Sequence, residues 1–224
     1  MIHKDQVYVL CEEQEMKDLV IIGAGGFGRE TAALIHDIKE KETTWTFLGF
    51  IDDAVSGKTI EGQPVIGSVN DLSQMDPKPN VVVAIANSNV RETIVTKLKK
   101  DGFIFPSIIH PTVTVGPEVT IGEGCIICQN VIFTTNVIVG PFCILNLNCT
   151  FGHDTVLEDY ISMMSHTAIA GDVHIGKACY FGLHCTVINQ KSITEGCTFG
   201  AGAVIVHDIK ESGTYVGVPA RKIK

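Results

Sequence analysis

One histidine–acid pair and one glycine loop hold most of the chemistry this sequence could perform. His153 is followed directly by Asp154. An imidazole titrates near neutrality and can take a proton from a nucleophile, and a neighbouring carboxylate can fix its tautomer and raise its basicity. Sequence neighbours in extended chain point to opposite sides, so adjacency alone does not turn the Asp154 carboxylate toward the ring. Far upstream, Gly23-Ala24-Gly25-Gly26-Phe27-Gly28 satisfies G-x-G-x-x-G between an apolar strand and a helical stretch. Such a loop lets phosphate oxygens approach backbone N–H groups at a helix N-terminus, although a merely structural strand-to-helix turn has the same pattern. Asp52 and Asp53 end the next apolar run. There a carboxylate can accept hydrogen bonds from a ribose or base, or simply shape a turn.

Two kinds of element must position these groups. Sixteen apolar residues stand six apart without interruption, from Val115 and Ile121 through Phe151, Ile169 and Phe181 to Ile205. Seven of these rungs are followed by glycine: Gly116, Gly122, Gly140, Gly152, Gly176, Gly182 and Gly200. Two residues before a rung lies a second inner position, held by Val113, Val119, Cys125, Val131, Val137, Cys143, Cys149 and Thr155 among others. This spacing predicts short strands turning alternate residues inward, each followed by a turn where glycine relieves backbone strain. Three sides close one coil, so residues 107–224 are expected to form an all-β left-handed parallel β-helix of about five coils. His153, two residues past rung Phe151, then occupies a corner. Its stacked neighbours one coil spacing apart are Thr135, Gly171, Asn189 and His207, and Gly171 leaves space and a bare N–H beside the ring.

Residues 17–106 read differently. Leu19 to Ile22 is a buried strand, Arg29 to about Lys41 a helix packing Ala32, Ala33, Ile35 and Ile38, and Thr46 to Ile51 a second strand. Asn80 to Ala86 is another, followed by Asn87-Ser88-Asn89 and an amphipathic helix through Leu98. Strand–helix alternation over about 90 residues predicts an α/β, Rossmann-like half domain, enough for one nucleotide and too small for a full NAD fold.

Net charge is −8, which argues against nucleic-acid or anionic-membrane binding. No apolar run reaches the length of a membrane span, and the N-terminus lacks a signal-peptide pattern, so a cytoplasmic protein without membrane insertion is expected. Met1 to Glu15 shows no clear periodicity and reads as an appended or alternative start. Cys125, Cys143, Cys149, Cys179, Cys185 and Cys197 all fall on the inner position, where stacked thiols act as small hydrophobes rather than disulfides or metal ligands.

A small nucleotide fold, uninterrupted hexapeptides and Gly217-Val218-Pro219-Ala220-Arg221 together resemble the bacterial sugar acyltransferases of the sialic-acid and bacillosamine-pathway type. The resemblance runs from about Lys17 to the end and rests also on Phe50-Ile51-Asp52-Asp53 and the histidine–acid pair. It implies a homotrimer whose active sites lie between neighbouring chains, with acetyl-CoA and a nucleotide sugar as substrates and no metal. His153 would be the general base and Asp154, where relatives usually carry glutamate, its modulator. Gly171, Leu183, Ala201 and Arg221 would bind the coenzyme; the charge of Arg221, Lys222 and Lys224 suits its phosphates and equally suits a basic C-terminus that is simply solvated. Gly25, Gly26, Phe27, Asp52, Asp53 and Asn146 would bind the sugar nucleotide, Asn146 from across the subunit boundary. Phe27 and Ala86 depart from relatives that have histidine and glycine there. The implied reaction is direct acetyl transfer to the amine of a UDP-4-amino-4,6-dideoxy sugar for a surface glycan, with the Gly171 N–H as a candidate oxyanion donor.

Three other readings stand beside it. His166 and His184, one coil apart, could share zinc with a third histidine from another chain. The coils could serve only to assemble a trimeric nucleotide-binding scaffold. A sugar hydroxyl could replace the amine, since the same histidine can serve either nucleophile.

Overall fold

The computed structural model describes residues 17–39 and 45–224; residues 1–16, with the Met1 to Glu15 opening, and residues 40–44 lie outside them. The front domain runs β1 (Lys17–Ile22), α1 (Gly26–Lys39), β2 (Trp45–Ile51), β3 (Thr59–Ile60), β4 (Gln63–Gly67), α2 (Val69–Leu72), β5 (Asn80–Val83) and α3 (Ser88–Lys100). Its sheet has the order β3-β4-β2-β1-β5, parallel except for the β3–β4 hairpin. Helix α1 begins three residues earlier than the sequence reading placed it, because the last three loop residues already form its first turn. Its buried stripe is Thr31, Leu34, Ile35 and Ile38, at helical spacing, while Ala33 faces solvent. The last strand stops at Val83 rather than Ala86, and a short loop leads to α3, which is capped by Asn87, whose Oδ1 accepts from the Val90 N–H at 3.1 Å.

From residue 108 onward the chain folds as the expected left-handed parallel β-helix. Seventeen two-residue strands run from β6 (Ile108–Ile109) to β22 (Val204–Ile205) among the described residues, followed by β23 (Thr214–Val216) and β24 (Arg221–Lys222). Residues pair with those eighteen further on, as in Phe133 with Phe151 and Phe151 with Ile169. Three sheets result. The first holds β6, every third strand to β21, then β23 and β24; the second runs from β7 to β22 and the third from β8 to β20. The rungs fill a dry core in which Phe133 stacks on Phe151 with centroids 5.1 Å apart and Phe181 on Phe199 at 4.7 Å. Val115 is the exception at 51 % exposed, since no coil continues beyond that end of its sheet.

The glycines after the rungs do a different job from the one expected of them. None has a positive φ; a Cβ on Gly152 would lie 2.4 Å from the Gly171 backbone nitrogen, and one on Gly116 would lie 1.4 Å from the Thr134 oxygen. They permit close approach of successive coils. The left-handed conformation falls two residues later, on Asn130, Asn136, Phe142, Asn148, Asp154, Tyr160, His166, Asp172, Ala178, His184 and Gln190, all between +51° and +62°.

The first sheet carries the front domain. Ile108, Ile126, Cys128 and Ile144 join the core of Leu34, Ile35 and Ile38, and Phe142 and Tyr160 join that of Val95 and Leu98. Arg91 of α3, 1 % exposed, crosses this seam and donates to the carbonyls of Phe142 (2.9 Å), Tyr160 (2.7 Å) and Ile85 (2.5 Å) and to Ser162 Oγ (3.0 Å). Burial lowers its pKa to about 10, so it remains a cation at neutral pH, solvated by carbonyl dipoles instead of water.

Candidate active site

His153 and Asp154 occupy the corner between β13 (Thr150–Phe151) of the second sheet and β14 (Val156–Leu157) of the third. Asp154 sits at φ +59° and is not extended, so its side chain swings back to its neighbour. Its Oδ2 lies 2.7 Å from His153 Nδ1, which corrects the expectation that the two side chains diverge. Its Oδ1 accepts from the Asn136 carboxamide at 2.6 Å. The Asn136 hydrogen bond, then that of His153, holds the Asp154 carboxyl below the usual carboxylate range. An ionised carboxylate only accepts, so His153 donates from Nδ1 and its Nε2 carries the free lone pair. That nitrogen lies over Gly171, where a Cβ would be 2.4 Å away. No hydrogen bond occupies the Gly171 N–H among the described residues.

The other expected coenzyme residues lie elsewhere in the same chain. Leu183, half exposed, and Ala201, also exposed, are on the corner between the first and second sheets, the opposite edge of the second sheet from Gly171. Arg221 is exposed in β24, beyond the last coil at that end. Asn146 is on the same edge as Leu183, 7 % exposed, with Oδ1 accepting from the Leu147 N–H at 2.7 Å and from Ser165 Oγ at 3.2 Å. His166 and His184 stack face to face on this edge at 4.7 Å. Among the described residues no three His, Cys, Asp or Glu side chains converge as a metal cluster.

The glycine loop lies where β1 meets β5, the point at which connections leave the sheet in opposite directions. Ligands of open α/β sheets bind at such a point, beyond the strand C-termini. Gly23 has φ +100°, and a Cβ on Gly28 would meet the Gly23 oxygen at 1.9 Å, so both positions demand glycine. Gly25 and Gly26 are exposed, whereas Phe27 packs partly into the domain core. Asp52 and Asp53 have intrachain work: Asp52 accepts from the N–H of Ala24 (2.9 Å) and Ala54 (3.0 Å), and Asp53 from that of Val69 (2.9 Å). The turn-forming role of both aspartates is thus explicit. A cleft of about 340 Å³ separates Ala86 to Asn89 from Ala178, Tyr180, Gly196 and Thr198 on the first sheet.

Sequence reading missed Asn136 and Arg91. Asn136 was detectable, being one coil before Asp154; Arg91 showed only as a charge in register with the apolar Val95 and Leu98.

Residues 18–98 match the family model described as the PglD N-terminal domain. The chain is 31 % identical over 211 residues to the GDP-perosamine N-acetyltransferase of Escherichia coli O157:H7, covering 91 % of this chain and 95 % of that one. It is similar to the acetyltransferase domain of PglB from Neisseria gonorrhoeae FA1090 in complex with acetyl coenzyme A. That likeness has 30 % identity and a TM-score of 0.86 over 93 % of this chain and 100 % of the other. PerB from Caulobacter crescentus in complex with CoA and GDP-perosamine is 26 % identical, with a TM-score of 0.86 over 94 % and 99 %.

Proposed function

The chain belongs to the PglD-type sugar N-acetyltransferases with a hexapeptide-repeat β-helix, and we propose that it acetylates the amine of a nucleotide-linked amino sugar from acetyl-CoA. The observation that carries the mechanism is the His153 imidazole, held by Asp154 through Nδ1 with Nε2 free above Gly171. The sugar amine attacks the thioester carbonyl, its proton passes to His153 Nε2, and collapse expels the coenzyme thiolate, which receives that proton. The Gly171 N–H supports the developing oxyanion, a type of contact worth about 3–4 kcal/mol in a transition state. The seven thiols among the described residues are all buried, and burial pushes those of Cys128 and Cys149 up to about 12, which supports direct transfer without an acyl-cysteine at any of them.

The nucleotide is assigned to the glycine loop and the adjoining cleft, and the complete site to a homotrimer. The front domain covers the first sheet, whereas His153 is at the vertex between the other two, on the order of 15–20 Å across the coil. A sugar held on one front domain therefore reaches the His153 of another chain. The outward positions of the second sheet suit such packing, since Ile132, Thr150, Ala168, Thr186, Val204, Thr134, Ala170, Ile188 and Val206 are all uncharged. Packing there brings the His153–Gly171 edge of one chain toward the Asn146, Leu183 and Ala201 edge of the next.

Relatives spanning nearly the whole chain act on or bind GDP-perosamine, so a GDP-linked amino sugar stands beside the UDP-4-amino-4,6-dideoxy sugar as acceptor. Mass spectrometry of reactions with acetyl-CoA and UDP-, dTDP- and GDP-amino sugars tests this beside His153→Ala. One added acetyl on one sugar, lost in the variant, is expected. Acetylation that survives the substitution removes His153 as the base, and no product with any amine redirects the search to sugar hydroxyls.

A further inference from the structure

We propose that Asn136 is a positioning residue for the transfer, its carboxamide holding Asp154, and through Asp154 the His153 ring, in the orientation the base requires. This deepens the assignment of His153 as base and rests on it. Three side chains on one corner form a linear relay: Asn136 Nδ2 to Asp154 Oδ1 at 2.6 Å, then Asp154 Oδ2 to His153 Nδ1 at 2.7 Å. Asp154 and His153 are otherwise loosely held, with side chains 52 % and 63 % exposed, and among the described residues no other side chain hydrogen-bonds the carboxylate. An aspartate has only two side-chain torsions, and its carboxylate is a rigid plane. Pinning one oxygen therefore aims the other. Asn136 is the residue one coil below, itself at φ +51°, so the coil spacing brings its amide directly under the carboxylate.

The amide also selects the chemistry of the corner. A carboxamide nitrogen can only donate and an ionised carboxylate can only accept, so the pairing keeps Asp154 as the acceptor for the ring. Nε2 is left as the lone-pair nitrogen facing Gly171, the atom that must receive the amine proton. An isolated structural role for Asn136 is the competing explanation, because asparagine tolerates the left-handed conformation and could be present for the backbone alone.

Asn136→Gly separates the two, since glycine keeps the left-handed conformation and removes only the amide. The expected result is a fall in kcat of about tenfold, the size one hydrogen bond to a charged group supplies, with KM for acetyl-CoA and the melting temperature unchanged. The same substitution in an Asp154→Ala background should have no further effect on kcat, because the relay is already cut. Asn136→Asp, which also accepts the backbone conformation but opposes one carboxylate with another, should be at least as slow as the glycine variant. Wild-type kcat in Asn136→Gly, or an equal loss in both backgrounds, would overturn the proposal while leaving His153 in place. Full activity in His153→Ala would remove the underlying assignment and the relay with it.

Discussion

At the scale of single residues, the candidate site depends on two departures from regular chain. Asp154 leaves the extended conformation, which lets two sequence neighbours meet. Gly171 lacks a side chain where the next coil passes beneath the imidazole. Introducing one methyl at Gly171 tests the second point. Its Cβ would lie 2.4 Å from His153 Nε2 and 2.6 Å from Cε1, contacts relieved by moving the ring and not the backbone. Gly171→Ala should therefore keep its melting temperature within a few degrees while kcat falls by roughly 10²-fold, the scale of a displaced catalytic group. An unchanged kcat would mean that the ring position above Gly171 is unimportant to transfer. Of this constellation the histidine and the vacant corner were legible from the coil spacing. The Asp154 contact was not, because it depends on a φ angle that the residue types at that position, ranging from aspartate to tyrosine and alanine, do not announce.

At the scale of elements, one coil side combines two constraints that the repeat pattern alone had merged into a single glycine effect. The residue after a rung must be small where the next coil runs against it, and the residue two further on must accept a positive φ. Only Gly124, Gly196 and Gly202 meet the second requirement with glycine at their corners; elsewhere asparagine, aspartate and histidine are frequent, in keeping with their tolerance of that region. The inner thiols follow from the same geometry. Cys125, Cys143, Cys149, Cys179, Cys185 and Cys197 are all fully buried, and desolvation pushes the Cys143 thiol well up. Iodoacetamide at pH 8 followed by peptide mapping should leave these six and Cys128 unlabelled in the native protein and label all seven in denaturant. Native labelling at any of them would show that the coils open in solution.

At the scale of the whole molecule, the front domain and the coils are one packed body, joined by a continuous apolar seam and by Arg91. That packing sets the glycine-loop crevice against the first sheet and leaves His153 at the far vertex, so under the proposed assignment a second chain completes the site. Ala168 lies midway along the uncharged second sheet. If the proposed trimer forms through this sheet, Ala168→Arg should leave a monomer by light scattering and abolish transfer, while the circular dichroism of the folded chain persists, since a buried unpaired charge opposes association strongly. A monomer with wild-type activity would place the whole site within one chain instead.

The sequence by itself determined what repetition and local chemistry can encode. A six-residue apolar period specifies its own stacking, because each coil presents the same inner residues to the next, and a glycine loop between strand and helix specifies its own turn. Only the tertiary structure decided which corner residues touch and which edges stay apart. The His153–Asp154–Asn136 relay depends on a backbone angle and on residues a full coil apart, and the Arg91 clasp on the docking of two domains. No local pattern records either, because neither contact exists until the coils have closed and the front domain has seated on them.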